Sequence, residues 1–324
     1  MPSTVPDSSD MHDTLIHVAV GVVQNAKGEI LITKRPEHLH QGGLWEFPGG
    51  KLEQGEDALA ALCRELKEEV GITVEQADAM IQIPFHYPEQ SVLLDVFRIK
   101  HFTGEPSGLE GQSLQWLAQK QLDEFDFPEA NRAIINSLRL PEAYLISGEF
   151  ADKQDFLSRL EGSLKLGIKL VQLRVKDLAA NELAQLAKDA RELCEKYQAQ
   201  LLVNSHVELA RQLSVGLHLN SRQLMACDKR PLTNGQWLAA SVHNEAELHK
   251  ANLLGVDFIV ISPVLPTRSH PGASVLDWDG FERLVKQASM PVYALGGMSA
   301  NKLARTKQNG AHGIAAISAF WQAS

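Results

Sequence analysis

The 324-residue chain is 44% apolar and 22% charged, the balance of an ordinary globular protein, and it is long enough for two domains or one large barrel. Its net charge of −9 and pI near 5.7 lack the basic field of a protein that binds a nucleic-acid polymer, while leaving room for a nucleotide held by one local metal or basic site. Cys63, Cys194 and Cys227 are far apart, with no metal-ligand spacing, so they read as reduced thiols. Residues 1–13 lack the basic and apolar regions of a signal peptide, and no run is long enough to span a bilayer. The expectation is a cytoplasmic protein with no membrane partner.

In chain order, His17–Val23 is an apolar strand, Asn25–Gly28 a turn and Glu29–Thr33 a second strand, which together suggest a hairpin. A Gly- and Pro-rich loop covers 41–50. A helical stripe of Leu59, Leu62, Leu66 and Val70 follows, with Asp57 placed to cap its start and Gly71 to end it. Strands are predicted at 79–86 and 92–102, and a closing helix at 131–140, stopped by Pro141.

From Tyr144 the rhythm changes. Apolar runs at 143–146, 170–174, 200–203, 216–219, 237–241, 258–261, 291–295 and 313–317 alternate with helical stretches. Eight such units suggest a (β/α)8 barrel, short for that fold. The domains are therefore read as 1–140 and 143–324.

The chemistry lies in the stretch from Gly50 to Ile72. On a helix Glu65, Glu68 and Glu69 stand at i, i+3 and i+4, so three carboxylates share a face about a third of a turn from the apolar stripe. Such acids repel one another by a few tenths of a kcal/mol per pair, roughly, and a hard divalent cation converts that cost into binding. The cation can offset diphosphate charge, activate water and stabilise the departing oxygen. The alternative is a solvated acidic face with Arg64 and Lys67 as partners.

The whole string resembles the Nudix box, Gly-x5-Glu-x7-Arg-Glu-U-x-Glu-Glu-x-Gly-U with U aliphatic, at Gly50, Glu56, Arg64, Glu65, Leu66, Glu68, Glu69, Gly71 and Ile72. The resemblance implies an α/β/α sandwich with a mixed sheet, carrying Mg²⁺ or Mn²⁺ on Glu65, Glu68 and Glu69. It also implies backbone oxygen from Gly49 and Gly50, and a brace formed by Glu56 and Arg64. Further phrases, 33–35, 46–50, 108–112 and 127–131, are similar to the MutT branch, the 8-oxo-dGTP diphosphatases. By that likeness Glu110 is a further catalytic, metal-side carboxylate. Arg35 and Glu46 belong to the substrate site, Phe47 to the base pocket, and Asn131 reads the purine edge. Phe47 read alone is equally a core residue, and Asn131 read alone an N-cap. Tyr87 and Gln90 stand where the branch has Phe and Arg: an aromatic ring able to stack is kept, and a neutral amide replaces a cation. The activity implied is hydrolysis of 8-oxo-dGTP to its monophosphate and pyrophosphate. The alternative is another nucleotide or a thiamin-related diphosphate, with the barrel as a regulatory or binding module.

The second part resembles thiamine-phosphate synthase and its TenI relatives, through 144–147, 171–176, 203–204, 216–219, 241–243, 292–297 and 310–318. The resemblance implies a TIM-type barrel that holds a phosphate near Lys176, Gly296, Gly297, Ile317 and Ser318. Where the synthase carries metal-binding aspartates, this chain has Asn204-Ser205 and Asn220-Ser-Arg-Gln223, and its Thr-x-Thr-Lys loop reads Thr267-Arg-Ser-His270. The expectation is no synthesis, with a phosphorylated thiazole or pyrimidine ligand, a TenI-like isomerisation and a purely structural role all open. His218, His243 and His270 are scattered and carry no assignment.

Overall fold

The computed structural model describes residues 15–38, 41–233, 235–267, 272 and 274–321. The chain divides into two compact units, 1–131 and 132–324. No helix among the described residues is long and apolar enough to cross a membrane. The reading of residues 1–13 falls outside the described residues, as does that of Arg268, Ser269 and His270.

The first unit is built from β1 (Leu15–Val23), β2 (Ile30–Lys34), β3 (Trp45–Glu46), β4 (Gly49–Lys51), α1 (Ala58–Val70), β5 (Thr73–His86), β6 (Ser91–Thr103) and β7 (Leu114–Leu117). They form a mixed sheet, β4-β1-β6-β5, and a second sheet, β3-β2-β7. β1 is parallel to β6 and antiparallel to β4, so both of its edges are taken. The expected β1–β2 hairpin is therefore not a ladder. Its turn exists, closed by the Gly28 N–H donating to Asn25 O at 2.9 Å, but beyond the Gln24–Ile30 bridge β2 pairs with β3 and β7.

Asp57 caps α1, its Oδ1 accepting the Ala60 N–H at 2.8 Å, and Gly71 takes the left-handed conformation (φ 73°) that ends the helix. The buried stripe is Ala61, Leu62, Leu66 and Val70, whereas Leu59 is 43% exposed. The shift is physical: Ala61 and Leu62 face Ala19, Val23 and Ile99 in one apolar cluster, and Leu59 points away from it. That face anchors the helix against β1, β4 and β5 and leaves the acidic face clear.

The second unit opens with α2 (Asn131–Arg139), whose first residue closes unit one. Then come β8 (Ala143–Ile146), α3 (Lys153–Lys165), β9 (Leu170–Leu173), α4 (Ala180–Lys196), β10 (Gln200–Asn204) and α5 (Val207–Leu213). They are followed by β11 (Gly216–Leu219), α6 (Ser221–Ala226), β12 (Leu238–Val242), α7 (Glu245–Leu254), β13 (Phe258–Ile261), α8 (Asp277–Val285), β14 (Val292–Ala294), α9 (Leu303–Gln308) and β15 (Gly313–Ala316). The eight strands β8 to β15 close into a parallel barrel in sequence order. Alternate strand residues enter two separate apolar clusters. Tyr144, Leu170, Leu202, Ala239, Phe258, Tyr293 and Ala315 fill one, while Leu145, Val171, Val203, Leu217, Ile259 and Ile314 pack with the helices. Burial on both faces is why these strands read as continuous apolar runs rather than alternating ones.

Candidate functional site

In the first unit a cavity of about 370 Å³ runs from the Gly49–Gly50 strand to the start of α2. Gly49 and Gly50 pair with Val20 and Ala19 of β1. A Cβ on Gly49 would stand 2.1 Å from Ala19 O, and one on Gly50 2.2 Å from Glu65 Cδ. At Gly49 the obstacle is backbone, so only a residue without a side chain lets β4 lie this close to β1, whereas at Gly50 it is the movable end of Glu65.

Glu69 lines the cavity and faces the Gly49 N–H at 3.4 Å. Burial first, then the charges of Glu65, Glu46 and Glu110, push its carboxyl up to about 8. Glu110 reaches the same wall on a loop tied to the end of α1. Glu69 O accepts both the Leu109 N–H (3.0 Å) and the Gln112 Nε2–H (2.9 Å), and Gln112 Oε1 accepts the Glu110 N–H at 3.0 Å. Glu65 and Glu68 turn to Arg64, which donates through Nη1 to Glu65 Oε1 at 2.8 Å and to Glu68 Oε2 at 3.3 Å. Arg64 also grips Glu56 through Nε (3.0 Å) and Nη2 (2.9 Å) and reaches Lys51 O at 3.1 Å, a brace between the loop and α1.

Among the described residues no three His, Cys, Asp or Glu side chains gather at metal-ligating distance, and Arg64 engages Glu65 and Glu68. The donors here nevertheless fit a hard divalent cation. They are oxygens from Glu69, Glu110 and the Gly49–Gly50 backbone, with Glu65 against Gly50, and the half-buried Glu69 is crowded by other acids in a way a dication relieves.

Arg35 and Glu46 form an ion pair on the cavity wall. Burial raises the Glu46 carboxyl while Arg35 opposes the rise. Phe47 is 3% exposed and stacks on Phe127 with centroids 5.6 Å apart, so it belongs to the core and to the cavity lining together. Tyr87 packs on Phe85, and its hydroxyl accepts the Ala130 N–H at 3.3 Å. Asn131 and Gln90 line the same space.

In the barrel, Gly296 (φ 98°) and Gly297 (φ 66°) follow β14 and pack against Pro263 and Leu265. Lys176 and Ser318 are exposed, and Ile317 is half-buried. Asn220 caps α6 and donates through Nδ2 to Ser205 Oγ at 2.9 Å, while Gln223 Nε2 donates to Ser205 O at 2.7 Å. His218 is buried between the Tyr144 hydroxyl (3.2 Å) and Ser241 Oγ (2.9 Å), and burial, with Arg174 adding, pushes its pKa down to about 3. His243 is paired with Glu247 at 2.8 Å.

A family model described as a NUDIX domain matches residues 19–137, and one described as thiamine monophosphate synthase matches residues 143–320. An 8-oxo-dGTP diphosphatase of Escherichia coli is 38% identical over 124 residues, which cover 38% of this chain and 96% of that protein. A putative thiamine-phosphate synthase 2 of Aquifex aeolicus is 36% identical over 184 residues, 56% of this chain and 99% of that protein. The chain belongs to both families. A thiamine-phosphate synthase of Streptococcus suis is likewise 36% identical over 189 residues, 56% of this chain and 82% of that protein. The Nudix part makes the chain a hydrolase of phosphorus-containing anhydrides, and the second part is a thiamine-phosphate-synthase-like barrel.

Of the residues singled out in the Nudix part, Gly49, Gly50, Glu69, Glu110, Arg35, Glu46, Phe47, Tyr87 and Asn131 line one cavity; Glu65 lies against Gly50, and Glu68, on the same helix, is exposed and outside the lining. Two further lining residues do structural work that sequence reasoning does not find, Gln112 and Gln41. Gln112 lies inside the same phrase, 108–112, as Glu110, and its position after a Gly-rich turn is the available signal. Gln41, in the left-handed region at φ 57°, has no signal in a loop of this composition.

Proposed function

We propose that the Nudix part hydrolyses a purine nucleoside triphosphate, 8-oxo-dGTP foremost, to the monophosphate and pyrophosphate. The observation that carries the reading is one cavity lined both by acids and backbone oxygens, at Gly49, Gly50, Glu69 and Glu110, and by aromatic and amide groups, at Phe47, Tyr87 and Asn131. A nucleoside triphosphate needs both kinds of group, one for its phosphates and one for its base.

Mg²⁺ or Mn²⁺, held by Glu65, Glu68, Glu69 and Glu110 with Gly49–Gly50 oxygen, would offset the phosphate charge and make water more acidic. The chain's own groups do the rest. Glu69, whose carboxyl is raised by burial and by Glu65, Glu46 and Glu110, would face a bound cation as a carboxylate. Gln112 holds the Glu110 loop to α1. Asn131 offers a donor and an acceptor to the purine edge while Tyr87 and Phe47 exclude water from the base. Arg35, shared with Glu46, faces phosphate or sugar.

The barrel, read as residues 143–324 beside a Nudix domain of 1–140, takes a phosphorylated thiazole or pyrimidine near Lys176, Gly296, Gly297, Ile317 and Ser318 and performs no synthesis. The support is chemical: Asn220, Ser205 and Gln223 bond to one another where a diphosphate leaving group needs carboxylate-held metal. Product analysis tests the hydrolase reading. Monophosphate and pyrophosphate in equal amounts are expected, and release of orthophosphate from the triphosphate would overturn it.

A further inference from the structure

The Tyr87 hydroxyl joins three segments that line the cavity and are distant in sequence. Tyr87 itself is fixed at the tip of the β5–β6 hairpin, where its N–H donates to Gln90 O at 2.9 Å and His86 Nδ1 meets Ser91 Oγ at 2.7 Å. The hydroxyl takes the Ala130 N–H at 3.3 Å and shares a hydrogen bond with the side-chain amide of Gln41. The ring is separately occupied, packed on Phe85 with centroids 4.7 Å apart. Upstream the segment is held by Asp126 O, which accepts the Trp45 N–H at 2.8 Å, and by Phe127, stacked on Phe47. Pro128 has no N–H to give, and the Asn131 N–H closes a turn onto Pro128 O at 2.9 Å. The peptide N–H of Ala130, the residue before Asn131, is therefore tied to the hairpin by one phenolic oxygen. A phenylalanine here keeps the stacking surface and removes the tie.

We propose that Tyr87 is a positioning residue: its hydroxyl sets where the Asn131 amide stands, and so how well the cavity tells one nucleobase from another. This rests on the reading of Asn131 as the group that contacts the base. The hydroxyl is engaged by Ala130 and Gln41 rather than by the proposed metal-side acids, so its effect is expected on nucleotide affinity and base preference rather than on turnover.

The test is a double-mutant cycle on the full chain with Mg²⁺, following dGTP, 8-oxo-dGTP and dCTP. Tyr87→Phe is expected to raise KM for the preferred purine about 5-fold, the worth of one ordinary hydrogen bond. It should leave kcat within about 2-fold and the unfolding midpoint unmoved, and it should narrow the preference for purine over dCTP. In the Asn131→Ala background the same substitution is expected to change KM less than about 2-fold, because the residue it acts through is gone. An equal factor in both backgrounds, or equal losses on purine and pyrimidine, would overturn the positioning role and leave Asn131 as base reader intact. Asn131→Ala with unchanged KM and base preference would instead overturn the base-reading assignment, and the role of Tyr87 with it.

Discussion

Gly50 lies against the carboxylate of Glu65, so close that a methyl group on its α-carbon would stand 2.2 Å from Glu65 Cδ. The clash is with the end of a flexible side chain, so Gly50→Ala can fold by swinging Glu65 aside. That movement takes a proposed metal-side acid out of place. We expect Gly50→Ala to lower kcat by about 10²-fold, the cost of roughly 1 Å of misplacement at a reacting centre, with an unfolding midpoint close to wild type. Steady-state kinetics with Mg²⁺ and a thermal melt check it together.

Glu69 is an acid crowded by Glu65, Glu46 and Glu110. Glu69→Gln keeps its shape and removes its charge. Turnover is expected to fall by at least about 10²-fold while the metal-free protein becomes no less stable, since the substitution relieves repulsion. Wild-type turnover in Glu69→Gln would remove Glu69 from the machinery.

His218 gives a pH prediction for the barrel. Its pKa is held down to about 3, against an ordinary value of 6.5. A depressed pKa means that the unfolded chain takes up the proton first as pH falls, so this residue's contribution is full above about 6.5 and is lost progressively toward 3. The slope from one such group is at most about 1.4 kcal/mol per pH unit. Denaturant melts of wild type and His218→Gln should diverge in slope across that window, with the variant less sensitive to acid.

Asp257, just before β13, is the charge hub of the barrel unit. It accepts from Arg132 at 2.7 Å, from Arg230 at 2.6 Å and from the Leu238 N–H at 2.8 Å, and its side chain is 4% exposed. Asp257→Asn leaves the Arg230 guanidinium, 15% exposed, without its counter-charge. A loss of about 3–5 kcal/mol is expected from such an unpaired buried charge, read from the unfolding transition that carries the barrel.

How far the residues announce this differs from element to element. The start and stop of α1 are legible because Asp57 and Gly71 act on their nearest neighbours. The barrel strands are legible because each is buried on both faces, and β8, β11 and β13 fall on the residues read for them. The β1–β2 hairpin fails because a turn signal is local while the choice of partner is not: β6, far along the chain, takes the edge. β7 is four residues long, too short to show a period. At the site, the acids and the base-end residues are legible as motif positions. Asp257 bonds to Arg132 across 125 positions, and the Tyr87–Ala130 bond spans 43; neither separation leaves a trace in spacing.

The proposed fit of the cavity to an oxidised purine nucleotide is tested most directly by the ratio of kcat/KM for 8-oxo-dGTP to that for dGTP, measured on the full chain with Mg²⁺. A ratio well above about 10, the worth of one discriminating hydrogen bond, is the result predicted, with turnover of both nucleotides abolished in Glu69→Gln. Equal values for the two nucleotides, or faster hydrolysis of a thiamin-related diphosphate than of either, would contradict the account.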